Sequence, residues 1–329
     1  MNTKPIILVT VGDVAGIGPE IVSKTINDGS VFAYCKPVII GSRLTLESIS
    51  ERCGISLKIR VLNTPEEATG EEGVLEMINV ECQGIDTVPF GQVSALAGQA
   101  AFNYIRKACE LLLEGRGAAL VTAPINKESF KAASIPYIGH TEAVADLMHS
   151  KNPLTMFQVH KLRVFFMSRH MSLKDAINYI TEERLLSFIH LCNKEIRTLG
   201  IEHPKLAVAA LNPHCGEHGL FGNEEDRFIV PAVETARQQG IDVVGPIGAD
   251  SVFWQALNGK YDVVLSLYHD QGHIATKTVD FDRTTSITLG LPHLRTSVDH
   301  GTAFDIAGKN LASPVSLIEA VRLAALYVK

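Results

Sequence analysis

The chain has 329 residues, 46% of them hydrophobic and 20% charged, the balance of a folded globular protein and not of a disordered one. That length exceeds one ordinary core and predicts two domains. Lysine plus arginine number 30 against 36 acidic residues, a net charge of −6, which excludes a globally basic nucleic-acid binder.

No apolar run approaches the ~20 residues that a membrane span needs. Met1 to Pro5 leads directly into Ile6-Ile7-Leu8-Val9, without the charged segment, long apolar stretch and cleavage site of an export signal. A cytoplasmic protein with no membrane partner is expected. Cys35, Cys53, Cys82, Cys109, Cys192 and Cys215 are scattered and read as reduced thiols.

In chain order, Ile6–Val11 predicts a first strand. Gly12-Asp13-Val14-Ala15-Gly16-Ile17-Gly18-Pro19-Glu20 follows as a turn into a helix with Pro19 near its first position. It holds Gly16-x-Gly18 but no GxGxxG, so a Rossmann fingerprint is absent. Pro37–Ile40 is a second strand, and Ser42 caps a helix bearing Leu44, Leu46 and Ile49 that Gly54 ends. Leu57–Leu62 is a third strand. From Ser94 to Glu114 the apolar stripe Ala97, Ala100, Ala101, Tyr104, Ile105, Ala108, Leu111 and Leu112 has helical spacing. Ala118–Thr122, Val164–Met167, Leu206–Leu211 and Val263–Leu267 are further strands, with a helix capped by Ser172 among them. Strands apolar at nearly every position are covered on both faces, which predicts an α/β fold with largely parallel sheets.

Several strands run into polar loops: Gly12-Asp13, Ala123-Pro124-Ile125-Asn126-Lys127, Asn212-Pro213-His214 and Tyr268-His269-Asp270-Gln271-Gly272. In parallel sheets such loops lie at the carboxyl ends of strands, where ligands bind. His170, His214 and His269 hold equivalent strand-end positions. Three imidazoles on rigid strand ends suit zinc or another divalent first-row metal, although solvated or hydrogen-bonded loop histidines give the same pattern. The neighbours His218 and His273 read as solvated loop histidines. Gly139-His140-Thr141-Glu142 opens the amphipathic segment Ala143–Met148, either as an anion site at a helix N-terminus or as a simple cap. Lys277 and Arg295 are cations that a phosphate or carboxylate would need in a negatively charged chain.

Gly12-Asp13…Gly16-Ile17-Gly18-Pro19-Glu20 with His300-Gly301-Thr302-Ala303-x-Asp305-Ile306-Ala307-Gly308 resembles the isopropylmalate and isocitrate dehydrogenase superfamily. Within it, Gly139-His140-Thr141-Glu142, Leu211-Asn212-Pro213-His214, Tyr268-His269-Asp270-Gln271-Gly272 and the run Arg295–Ala303 resemble the 4-hydroxythreonine-4-phosphate dehydrogenase family, including its D-threonate and D-erythronate 4-phosphate branch.

The resemblance implies two α/β/α domains of the isopropylmalate dehydrogenase kind with a cleft between them. Strand order places the boundaries at 1–127 plus 291–329 for the NAD-binding domain and 128–290 for the second. It implies a homodimer with the active site completed at the interface, and NAD on Gly301, Thr302, Ala303 and Asp305. Asp305 would favour a ribose 2′-hydroxyl over a 2′-phosphate. It implies one divalent metal (zinc, magnesium, cobalt or manganese) on His170, His214 and His269, and substrate contacts from His140, Thr141, Lys277, Ser286 and Arg295. Asp270 and Lys277 are the catalytic candidates, Asp270 as base or orienting carboxylate. The implied reaction is oxidation and decarboxylation of a phosphorylated 3-hydroxy acid, either 4-phosphohydroxy-L-threonine, in pyridoxine biosynthesis, or D-threonate or D-erythronate 4-phosphate.

Three departures stand out: Val14 where proline is usual, Cys215 where alanine is usual, and Ser286 where a substrate-contacting asparagine is usual. A hydroxyl is shorter than an amide and lacks its paired donor and acceptor, so the substrate is open to change. A metal-dependent lyase or phosphoester hydrolase without nicotinamide is the alternative on the same histidines, and a non-catalytic phospho-metabolite binder a third. The His300–Asp305 loop favours the dehydrogenase.

Overall fold

A computed structural model describes residues 4–328. The chain begins with β1 (Ile6–Thr10), α1 (Gly18–Asp28), β2 (Lys36–Gly41), α2 (Arg43–Arg52), β3 (Lys58–Val61) and β4 (Val74–Asn79). Next come α3 (Ala95–Leu113), β5 (Ala119–Thr122), α4 (Lys127–Ala132) and α5 (His140–Leu147). β6 (Leu154–Val159), β7 (Leu162–Phe166), α6 (Leu173–Tyr179), α7 (Glu182–Arg197), β8 (Leu206–Ala209) and α8 (Val230–Gln238) follow. Then come β9 (Val243–Ile247), α9 (Val252–Leu257), β10 (Val263–Ser266), α10 (His269–Val279), β11 (Thr285–Leu289), β12 (Leu294–Val298) and α11 (Val315–Tyr327). This is the α/β class that the alternation of elements predicts. Among the described residues no helix is long and apolar enough to cross a membrane.

Two compact units emerge: the chain up to Pro153 with Thr285 onward, and Leu154–Thr284. Residues 128–153 and 285–290, which strand order alone assigns to the second domain, thus group with the first. The reason is local packing. Gly98 of α3 lies so close to α4 that a Cβ on it would stand 2.2 Å from the Ser129 carbonyl oxygen. Ser150 Oγ donates to the Gly290 carbonyl at 2.6 Å, joining the two ends of the insertion.

In the first unit the strand order is β3-β4-β2-β1-β5-β12-β11, parallel except for the β11–β12 pair. Ile7, Leu8, Val38, Ile40, Leu120 and Val121 are fully buried, as expected for strands covered on both faces. In the second unit the order is β6-β7-β10-β8-β9, parallel except for β6–β7. Phe157, Val164, Phe166, Ala207 and Val264 form its core. The capping serines act as their positions predict: Ser42 accepts from the Thr45 amide, Ser94 from Ala97 and Ser172 from Asp175.

Five strands escape the hydrophobic pattern, and polar burial explains three of them. In β4, Glu76 is buried to 1% exposure, accepting from the Gly70 amide, the Thr69 amide and hydroxyl, and the Arg60 guanidinium. β11 and β12 carry buried Thr285, Thr288, Arg295, Thr296 and Ser297 where apolar residues are expected. Their partners are polar too: Arg295 donates to Thr122 and Thr288, and Thr296 to the Ala320 carbonyl.

Candidate functional site

In the first unit, Arg295 lies on β12 and is 4% exposed. Its Nε and Nη2 donate to Thr122 Oγ1 at 3.2 and 2.8 Å, and its Nη1 donates to Thr288 Oγ1 at 3.2 Å. Among the described residues it has no carboxylate partner, only the more distant charge of Glu142. Burial pushes its guanidinium down to about 10. A buried cation held by hydroxyls alone is poorly compensated, which is the condition of a site built to receive an anion. Thr296, the next residue, points the opposite way and donates to the Ala320 carbonyl of α11, so strand alternation sends Arg295 to the other face. Across the hairpin Ser286 pairs with Ser297 and Thr288 with Arg295, which places Ser286 on the Arg295 face.

His140 and Thr141 open α5. Gly139 is the cap residue, and no side chain caps the helix, so the cap role considered for Thr141 and Glu142 is not the one adopted. The first-turn amides of α5 have no side-chain cap among the described residues. Burial first, and then the charge of Arg295, hold His140 well below the ordinary imidazole value, and its Nε2 is buried without a partner among the described residues. His140 is therefore neutral at pH 7. Because its folded value lies below the unfolded 6.5, it supports stability above 6.5 and loses that support as pH falls. We expect urea midpoints to drop more steeply for the wild type than for His140→Asn between about pH 7 and about pH 5. Parallel curves would contradict this.

The two glycine segments meet in the same unit. A Cβ on Gly16 would come 2.7 Å from Thr302 Cβ, and the Ile17 amide donates to the Thr302 carbonyl. Gly12, at φ +76°, leaves no room for a side chain beside the Pro124 carbonyl. Asn126 Nδ2 ties Thr302 Oγ1 to the β5–α4 loop. Around this anchor Gly301 faces open space, Ala303 takes a left-handed φ of 41°, and the Asp305 side chain is exposed. An exposed carboxylate beside open backbone can accept sugar hydroxyls.

In the second unit β7, β10 and β8 are adjacent and parallel, so His170, His269 and His214 leave the same sheet edge. His269 is the first residue of α10; its ring centroid lies 6.2 Å from that of His170. His269 Nδ1 and Asp270 Oδ1 are 2.6 Å apart, a contact that fixes the imidazole tautomer and orientation. His170, His269 and Asp270 line a cavity of about 570 Å³ with Arg169, Leu173 and Tyr268. His214 is exposed and turns Nδ1 toward Glu217 Oε2 at 3.4 Å. Among the described residues no three histidine, cysteine, aspartate or glutamate side chains are grouped to hold a metal ion. The fit to a divalent ion is one of residue type and strand position, not of closed coordination.

His273 is not the solvated loop residue that its surroundings suggest. It lies on α10 with its ring centroid 4.0 Å from His269, 4.5 Å from Phe157 and 4.6 Å from Phe166. Burial, reinforced by His269 and Lys277, pushes it down to about 4. The spacing His269–His273–Lys277, one turn of helix each, was the available signal. Lys277 Nζ also lies 5.3 Å from the Phe281 ring centroid.

His214 belongs to an unusual turn. His214, Cys215, Glu217 and His218 have φ of 53°, 58°, 45° and 55°, with Gly216 at 80° and Gly219 at 92°. Left-handed backbone at a non-glycine residue costs about 1–2 kcal/mol. A second cavity, about 770 Å³ and lined by Ser42, Arg43, Glu47, Glu81 and Asp86, contains none of the candidate catalytic, substrate, cofactor or metal residues.

Residues 33–324 match the family model described as "Pyridoxal phosphate biosynthetic protein PdxA". A protein of Fusobacterium nucleatum subsp. nucleatum named "Putative D-threonate 4-phosphate dehydrogenase" is 55% identical over 327 residues, 99% of this chain and 98% of its own. The crystal structure of a 4-hydroxythreonine-4-phosphate dehydrogenase from Klebsiella pneumoniae is similar with TM-score 0.90 at 39% identity, covering 98% of each chain. One from Burkholderia phymatum is similar with TM-score 0.88 at 41% identity, covering 100% of both chains.

Proposed function

Because the chain belongs to the family described as pyridoxal phosphate biosynthetic protein PdxA, we propose that it is an NAD-dependent dehydrogenase of a phosphorylated 3-hydroxy acid, with D-threonate or D-erythronate 4-phosphate ahead of 4-phosphohydroxy-L-threonine. The observation that carries this reading is Arg295, a buried cation held only by hydroxyls beside the open start of α5. A dianionic phosphate or a carboxylate matches that charge. Ser286 on the same face supports a C2 hydroxyl over a C2 ammonium as its partner, since a hydroxyl exchanges hydrogen bonds with a serine in either direction.

The chemistry follows from the substrate. Oxidation of the C3 hydroxyl sends hydride to the nicotinamide and the hydroxyl proton to a general base, leaving a 3-keto acid; loss of carbon dioxide then leaves an enolate that takes up a proton, giving dihydroxyacetone phosphate from the sugar-acid phosphate. Arg295, His140, Thr141 and the α5 amides hold the anionic end, and such remote binding orients the reacting carbon. Asp270 fixes the His269 ring. Lys277 Nζ, two turns along α10 from His269, is a second cation for substrate and holds a proton near the reacting centre. Asp305 accepts the ribose hydroxyls of NAD beside Gly301, Thr302 and Ala303. A divalent metal (zinc, magnesium, cobalt or manganese) on His170, His214 and His269 would acidify the alcohol and neutralise developing enolate charge.

We place the active form as a homodimer with its site at the interface. Ile274, next to His273 in the chain, at 65% and Phe281, by Lys277, at 63% exposure leave apolar surface that a second copy would cover. The six free thiols suit the cytoplasm. The test is a parallel assay of NAD reduction with both classes of phosphorylated acid, with and without chelator. Turnover of the sugar-acid phosphate supports the reading. Turnover without nicotinamide reduction would replace it with a lyase or hydrolase.

A further inference from the structure

Glu225 lies at the start of the helical segment before α8 and is 1% exposed. Its Oε1 accepts from the Leu211 amide at 2.9 Å and the Asn212 amide at 2.7 Å, and its Oε2 accepts from Asn212 Nδ2 at 2.8 Å. Asn212 Nδ2 also donates to Glu224 Oε2 at 2.7 Å. These bonds grip two residues of the segment that leads from the end of β8 to the left-handed turn. Backbone bonds inside that turn are short in range: Cys215 to Asn212, Glu217 to His214, Gly219 to Gly216, Leu220 to Glu217 and Phe221 to Gly216. The packing leaves no slack, since a Cβ on Gly216 would stand 3.0 Å from Glu225 Oε2 and one on Gly222 2.5 Å from Asn212 Nδ2. A run of left-handed residues persists only when its surroundings over-determine it, and Glu225 is the buried group that does so here.

We propose that Glu225 is the positioning residue that holds His214 at the end of β8. The proposal rests on the reading of His214 as a functional imidazole. Glu225 touches neither substrate nor cofactor; it acts by fixing the entry to the turn. A carboxylate is required because three donors converge on its two oxygens. A glutamine would turn an NH2 group toward one of them and leave buried donors facing each other.

The experiment compares Glu225→Gln, Glu225→Asp and His214→Ala with the wild type in steady-state kinetics, thermal unfolding and amide hydrogen exchange. For Glu225→Gln we expect exchange at the Leu211 and Asn212 amides to quicken about tenfold or more. kcat should fall about 10–100-fold with KM for NAD unchanged, a loss typical of removing a group that orients a site residue. Glu225→Asp, which keeps the carboxylate, should recover part of kcat. If Glu225→Gln does not fold, Asn212→Ala removes one of the three bonds and is measured in the same way. Exchange left unchanged at the two amides, or kcat within twofold of wild type while His214→Ala abolishes turnover, would overturn the proposal. Full turnover in His214→Ala would instead overturn the role of His214, and with it the catalytic consequence of Glu225, while quickened exchange would still identify Glu225 as the residue that pins the turn.

Discussion

Arg295→Met is expected to lower kcat/KM for the phosphorylated acid about 100- to 1000-fold and to leave the protein as stable as the wild type or more stable. Charge-assisted hydrogen bonds are worth about 1.5–3 kcal/mol each. Losing two of them to an anionic substrate at the lower end of that range, about 3–4 kcal/mol together, corresponds to about 100- to 1000-fold at about 1.4 kcal/mol per tenfold. The opposite sign for stability follows from burial: replacing an imperfectly compensated buried charge by an apolar side chain of similar volume is often neutral or stabilising. Thr122 and Thr288 lose their donor but keep hydroxyls that can re-pair locally. Arg295→Lys should recover little, because an ammonium cannot reproduce the planar fork that spans Thr122 and Thr288 while still facing an anion. Kinetics and thermal unfolding on the same preparations separate the two effects. A fall in melting temperature that tracks the lost activity would make Arg295 a structural group.

His269→Ala and Asp270→Asn form the second pair. His269 is partly exposed, so its removal should leave the fold intact while kcat falls about 1000-fold or more, within the range for a group that acts on the reacting centre. Asp270→Asn keeps the shape and removes the charge beside His269 Nδ1, for an expected loss of about 10–100-fold. The ranking is the informative part. An Asp270→Asn variant as damaged as His269→Ala would move Asp270 from orienting its neighbour to handling the proton itself.

Much of the fold is legible in the sequence where physics is local. Ser42, Ser94 and Ser172 cap helices because a serine before an apolar stripe has one useful partner, the amide three residues on. Ile6–Thr10 and Val263–Ser266 show as strands because both faces are covered. Val74–Asn79 and Leu294–Val298 do not, because Glu76 and Arg295 break the pattern with polar burial that only tertiary partners make tolerable. The site follows the same division. The strand-end positions of His170, His214 and His269 can be read from order along the chain, whereas the stacking of His273 on His269 depends on helix phase. The grip of Glu225 on Leu211 and Asn212 spans a loop whose left-handed course no residue pattern announces.

Hydride transfer is the step on which this account stands, and an isotope test reaches it without intermediaries. D-threonate 4-phosphate carrying deuterium at C3 is turned over with NAD, and both products are analysed. The account predicts one deuterium on the reduced nicotinamide per carbon dioxide released, with kcat/KM lower than for the unlabelled acid. Consumption of the acid with no deuterium on the nicotinamide would contradict it.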